Sequence, residues 1–342
     1  MSLDVASLGR KHYVSQTGLA AVLKEVSESC STVAPSRSGI KRAREEQVTI
    51  QTPYGDLIDS MQIKDKKGKE KNFPTLNLKA WLWYVVKRLL VSFFSRKFVE
   101  HRPTADKPWR VCLYCDEVSP GNQLKQQNTR KIQAYYLSFQ EFGAEFRCQE
   151  QMWFTVALAR SHIVNQLPGG LSQFTHHLVM ALKLHELEHG LLLDSGGERL
   201  MFFAKLDTMV ADEAALKAVF DIKGSSGTLP CALCSNVVSK TSMLEGCDTT
   251  GSLVSVHETS LEKFCARSDN TIWQGCKLLE SRCGQMTKKA FDQLEQSLGI
   301  NHNPEGVLFQ QSLPLASTLM YDWLHIYLVT GLVQLELGLL FP

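Results

Sequence analysis

Trp109-Arg-Val-Cys-Leu-Tyr-Cys115 is a run of apolar and β-favouring residues that ends on Asp116, and Ser119-Pro120-Gly121-Asn122 follows it as a turn signal. The pattern predicts a buried strand with a carboxylate at its end. Lys131 to Phe139 and Met152 to Ala159 have the same character, and the Gly143 region between them supplies a turn. Three successive strands suggest a meander. From Leu171 to His189 apolar residues recur at helical spacing, Met180, Leu184 and Leu187 among them, with Gly190 at a stop position. That spacing predicts a helix of about five turns. Asp194-Ser-Gly-Gly197 makes a turn, Leu200 to Val210 reads as a further strand, and Asp212 stands just after it as the N-cap of the helix-like Asp212 to Val219. The order is strand, strand, strand, helix, strand. In a mixed α/β sheet that pairs the first and last of these strands, the carboxylates of Asp116 and Asp212 meet at one edge.

Outward from this core, residues 1 to 75 are rich in Ser, Lys, Arg and Glu, with basic runs at 41–44 and 64–71 and no sustained period. A loosely ordered polar arm is expected there. Asn77 is placed to cap a helix from Leu78 to about Ser95, and its aromatics (Trp81, Trp83, Tyr84, Phe93, Phe94) predict burial in a helical lead-in spanning 76–108. A chain of 342 residues with 44% hydrophobic content suffices for a full core, and a net charge of +2 points by itself to no nucleic acid. Ten cysteines and no signal peptide at the N-terminus fit reduced thiols and metal ligands in an intracellular, non-secreted protein better than a disulfide framework. Two apolar stretches are expected to be core helices and not membrane spans. Lys87 and Arg88 split the one from Leu78 to Phe94, and the one from Trp323 to Phe341 contains His325, Gln334 and Glu336.

Two motifs carry metal-binding chemistry of their own. Cys231 and Cys234 have zinc-knuckle spacing, with Cys247, His257, Cys265, Cys276 and Cys283 as candidates for the remaining ligands, and two reduced structural thiols as the alternative. His185-Glu-Leu-Glu-His189 matches HExxH, in which two imidazoles one helical turn apart hold zinc and Glu186 acts as general base of a peptidase. Charged Glu188 inside the motif argues against that use. Because both histidines continue the stripe of Phe174, Leu178 and Leu182, partly buried helix histidines are expected instead.

The strings around the two acids resemble a known group. Trp109 to Asn122 is similar to the first catalytic block of cut-and-paste DNA transposases of the CACTA and Plavaka group, in which a strand ends in Asp before a short turn with Pro. Ala211-Asp-Glu-Ala-Ala-Leu-Lys217, followed by 223–227 and Pro230-Cys-Ala-Leu-Cys234, resembles that group's second block. Tyr321-Asp-Trp-Leu-His325 is similar to its Asp-x-x-His motif, with Asp322 and His325 in the motif positions. The resemblance implies an RNase H-like (DDE/D) mixed sheet over 109–222 and a helical, cysteine-containing insertion over 223–315, with the start of the Asp-x-x-His helix over 316–342. It implies two-metal phosphodiester cleavage and strand transfer on DNA, with Asp116 and Asp212 as ligands of Mg2+ or Mn2+.

In that group the third acid lies well beyond the Asp-x-x-His string, whereas Glu336 is the single acid after it here and stands close to Asp322. An incomplete catalytic set, and hence an inactive transposase-like chain, is the expectation. Implied with it are DNA as partner, no membrane, structural zinc at Cys231 and Cys234, and a nuclear or other intracellular location, with a homo-oligomer left open. A non-catalytic DNA- or protein-binding module and a zinc peptidase are the alternatives.

Overall fold

The run opening at Trp109 forms a ten-residue strand whose two faces set the architecture. The computed structural model of the chain describes residues 49–119, 130–195, 197–239 and 252–322, together with Ser38 and Arg42. In chain order the main elements begin with the hairpin Ile58–Lys64 (β1) and Glu70–Leu76 (β2), then Leu78–Tyr84 (α1) and Val91–Glu100 (α2), joined by a π-helical turn at Val85–Leu89. Trp109–Val118 (β3), Ile132–Phe139 (β4) and Phe154–Arg160 (β5) follow, then Gly170–Ala181 (α3) and Leu184–Glu188 (α4). The remaining elements are Leu191–Ser195 (β6), Glu198–Phe202 (β7), Ala204–Ala211 (β8), Glu213–Phe220 (α5), Asp269–Arg282 (α6), Lys288–Leu298 (α7) and Leu319–Tyr321 (β9).

Seven strands make one mixed sheet in the order β9-β8-β3-β4-β5-β2-β1. From β3 outward to β1 each neighbour is antiparallel, while β8 runs parallel to β3 and β9 parallel to β8. The parallel pairs require long crossovers, which the helical stretches between β5 and β8 and between β8 and β9 provide.

One face of this sheet is the core. Trp109, Val111, Leu113 and Cys115 alternate onto it from β3, and Tyr135, Leu137 and Phe139 from β4, all buried. Phe94 and Phe98 from α2 close over Trp109 at ring-centroid distances of 6.0 and 5.2 Å, and Phe174 from α3 lies 5.7 Å from Tyr135. The Trp109 indole N–H donates to the His101 carbonyl at 2.7 Å, so even this buried ring leaves no polar atom unpaired. The opposite face carries Cys112, Tyr114 and Asp116 from β3 with Tyr136 from β4.

Three sequence expectations change in detail. The segment 58–76 is not an arm: Met61, Ile63, Phe73 and Thr75 alternate inward and make β1 and β2 the far edge of the sheet. Their pattern is hard to see because most outward positions are polar or charged, as suits an edge, and because Pro74 sits within β2. Pro74 is tolerated because β2 pairs with β5 through one residue pair, Thr75 with Ala157. The long helix over 171–189 is broken at Lys183, which takes a left-handed conformation with φ of 50°. The break lets Leu182, Leu184 and Leu187 all turn inward, which a straight helix prevents. The strand over 200–210 divides at Phe203, so that β7 pairs back on β6 and β8 enters the main sheet.

Asn77 caps α1 as expected, accepting from the Ala80 N–H at 3.2 Å. The apolar stretch from Leu78 to Phe94 packs into the core through Leu78, Leu82, Val86 and Phe94. No helix among the described residues is long and apolar enough to cross a membrane, and Trp323 to Phe341 lies outside them.

The second half is fastened to the sheet through a buried acid. Asp221 ends α5 with φ of 51°, and its carboxylate accepts from Asn303 Nδ2 at 2.9 Å and from the Ser172 hydroxyl. Burial outweighs both hydrogen bonds and pushes its pKa up to about 7. The native state therefore holds a proton that the unfolded chain has released, and the stability tied to that proton falls as pH rises from about 4 to about 7. Urea unfolding across that range is expected to show a loss on the order of a few kcal/mol, and Asp221→Asn to flatten it.

Candidate active site

Register places the sequence-predicted acids. Val210 of β8 pairs with Tyr114 of β3 and with Met320 of β9, so the positions two residues further along are Asp212, Asp116 and Asp322. The ladder reaches the last of them, since the Asp322 N–H donates to the Ala211 carbonyl at 2.9 Å. Alternation puts all three on the face that carries Tyr114, with Asp212 in the middle and each neighbour one strand spacing of about 4.8 Å away. Asp116 and Asp212 are thus brought together as expected. Asp322 is the addition: sequence alone gives it only a family-motif position and points to a third acid farther on, whereas the register sets it beside Asp212. Its short strand has three residues and carries little signal of its own. The available clue was the acid directly after a β-favouring Leu-Met-Tyr run, the same grammar as Cys115-Asp116.

Tyr114 reports the convergence. Its hydroxyl lies 3.5 Å from Asp322 Oδ2, at the limit of hydrogen-bond distance. Burial raises its pKa first, and the charges of Asp116, Asp322 and Asp212 raise it further, so the phenol stays protonated and points its dipole into the acid row. Asp212 has a second duty: its Oδ1 accepts from the Ala215 N–H at 2.6 Å and caps α5. The helix that this cap begins packs against β8, β3 and β9, which fixes the middle of the row.

The cations gather at the same end of the sheet. Strand polarity carries the β1–β2 turn, with exposed Lys64, Lys66, Lys67 and Lys69, to the edge where β3 and β8 deliver their acids. Exposed Lys131 at the start of β4 and Arg160 at the end of β5 lie between. Lys131 pairs with Glu117 at 2.6 Å. The edge therefore runs from acidic on β9, β8 and β3 to basic on β5 and β1. The basic run 64–71 is a hairpin tip, and of 41–44 Arg42 alone is described.

No protein-family model matches the chain, and no curated protein matches it.

The two rival motifs separate in the structure. Glu186 is ion-paired to Lys79, whose hydrogen bond is the largest cause of its lowered pKa, and it is not poised between two imidazoles. His185 and His189 are exposed, not partly buried, and α4 ends at Glu188 before the second of them is reached. Of the zinc candidates, Cys231 and Cys234 are in contact: burial, then the Cys231 thiol, pushes Cys234 up to about 12. Cys265 is drawn alongside, because Ser235 N–H donates to its carbonyl at 2.8 Å and Cys234 bridges to Ala266. Cys276 is buried in α6, Cys283 and His257 are exposed, and Cys247 and His325 lie outside the described residues, as does Glu336. The eight described cysteines are all free thiols. With the side chains placed as they are, no group of three or more His, Cys, Asp or Glu among the described residues is arranged to hold a metal ion.

Proposed function

We propose that this chain is a DNA-cleaving and strand-transferring enzyme of the transposase type, built on an RNase H-like sheet, with Asp116, Asp212 and Asp322 as its catalytic carboxylates. The observation that carries this reading is the row of three aspartates at the ends of three adjacent strands. Strand succession supports it: three antiparallel strands, a helical crossover, then a strand parallel to the first is the order the RNase H-like expectation asks for, and β9 adds a second parallel strand beyond it. Asp322 supplies the third acid that the sequence reading left missing.

The donor set suits a hard divalent cation, since three carboxylates offer oxygen ligands and no soft donor lies in the row. Asp116, Asp212 and Asp322 would hold it, and magnesium or manganese when bound supplies positive charge to the attacking and leaving oxygens of a phosphodiester. The chain's own residues do the positioning. Tyr114, kept protonated, orients the Asp322 carboxylate, and the α5 cap holds Asp212 in the centre. Lysines on the basic half of the edge attract the DNA backbone, an interaction that weakens as salt rises. Structural zinc at Cys231 and Cys234 belongs to the same proposal, as a brace for the second half. The compartment proposed is the nucleus or another intracellular one that holds DNA.

Nicking of supercoiled plasmid under magnesium or manganese is the test. Wild-type chain is expected to nick, and Asp116→Asn and Asp212→Asn to lose the activity. Nicking that survives both substitutions would sink the proposal. Salt-sensitive DNA binding without cleavage under either metal would leave a binding module in its place.

A further inference from the structure

Below the aspartate row, on the same open face of the sheet, lies a cleft of about 1030 Å3. Its floor is aromatic: Tyr114 and Tyr136 are a cross-strand pair with ring centroids 6.1 Å apart at 29°, and Trp153 meets Tyr114 edge-on at 6.0 Å. Asp322 stands on the rim nearest the acid row, with exposed Glu150 elsewhere on the lining. The volume is at the upper end for a small-molecule site and open enough for a ring system.

Arg147 gives the cleft its charge. It belongs to the short helix Ala144–Arg147, and the Trp153 indole N–H donates to its carbonyl at 2.7 Å, which ties the cation to the aromatic wall. The guanidinium Nε is buried without a hydrogen-bond partner, and among the described residues Arg147 forms no ion pair, with Glu150 or any other acid. A guanidinium that lines a concave wall with no acid beside it is a ready partner for an anion. An aromatic floor asks for a flat ring. A nucleotide carries both, and the base must be unpaired for its face to be available.

We propose that this cleft seats one unpaired nucleotide of single-stranded DNA, its base stacked among Tyr114, Tyr136 and Trp153 and its phosphate on Arg147. The site lies one row below the carboxylates, so an occupying nucleotide is a near neighbour of the phosphodiester to be cut. The proposal rests on the DNA-cleaving function, yet its binding step needs no metal, and this separates the two experimentally.

The experiment is fluorescence-anisotropy titration of the full chain with a short fluorescein-labelled oligothymidylate in EDTA. Wild type is expected to bind, Trp153→Phe to bind nearly as well, and Trp153→Ala and Tyr136→Leu to bind about tenfold or more weakly. Arg147→Gln is expected to weaken binding and to reduce the salt dependence by roughly one phosphate contact. Its side chain lies on a short exposed helix, so this variant carries the test if Trp153→Ala fails to fold. Absence of oligothymidylate binding, or equal binding by wild type, Tyr136→Leu and Arg147→Gln, overturns the proposal even where plasmid nicking depends on the aspartates. If the chain's own residues 323–342 fill the cleft instead, the aromatic substitutions lower thermal stability and leave binding unchanged, which also overturns it. Ring- and Arg147-dependent binding without any nicking would uphold the nucleotide site and remove the catalytic function.

Discussion

Asp322→Asn is expected to lower metal-dependent nicking by about a thousandfold or more, as much as Asp116→Asn does, because each removes one anionic ligand from a site whose charge stabilisation is worth several kcal/mol. The substitution is chosen to leave the fold alone. Carboxylates on adjacent strands repel one another when no cation lies between them, by about 1 kcal/mol for each neighbouring pair if solvent screens them fully. Asparagine keeps the size and shape of aspartate, so metal-free Asp322→Asn and Asp116→Asn proteins should remain folded, and the loss is one of function and not of fold. Asp212 is the instructive contrast. Asparagine there still caps α5, whereas Asp212→Ala gives up the hydrogen bond to Ala215 and costs about 1 kcal/mol besides the activity. Nicking rates paired with thermal melts of the four variants check this pattern. An Asp322→Asn protein that nicks at the wild-type rate would return Asp322 to a purely structural place at the end of its strand.

Trp109→Ala should be the most damaging single change to the fold, at about 3 to 5 kcal/mol. The indole is met by the rings of Phe94, Phe98, Phe139, Phe142 and Phe202, all within 6.0 Å, so truncation opens a cavity at the crossing of α2, β3 and β4. It also strands the His101 carbonyl that the indole N–H had satisfied. Against a total stability of about 5 to 15 kcal/mol for a folded domain, the loss is a large fraction. The measurable result is a lower urea midpoint with an unchanged slope. Trp153 on the opposite, open face makes fewer such contacts, and its truncation should cost far less.

The strands that carry the site were legible because each is a buried run punctuated by an acid and a turn. Trp109 to Cys115 needs no long-range knowledge to be read as a strand, and the cap at Asp212 announces itself through the helix formers behind it. What local pattern does not contain is pairing. That β8 lies beside β3, and β9 beside β8, follows from crossovers of many residues, so the meeting of Asp212 with Asp116 was an inference and the arrival of Asp322 was not foreseen. The β1–β2 hairpin escaped notice because its edge strand β1 is written largely in polar residues and its partner β2 includes a proline. Lys183 shows the opposite limit: helical periodicity ran unbroken through a residue whose backbone reverses, because burial of leucines on both sides outweighed the local cost of a left-handed turn.

Manganese binding by the aspartate row is the most direct measurement. Titration of the wild-type chain with Mn2+, followed through the loss of the free ion's paramagnetic resonance signal, is expected to show binding that disappears in the Asp116→Asn, Asp212→Asn, Asp322→Asn triple variant. Binding retained in the triple variant, or absent from both folded proteins, would contradict the assignment of these carboxylates as the catalytic metal site.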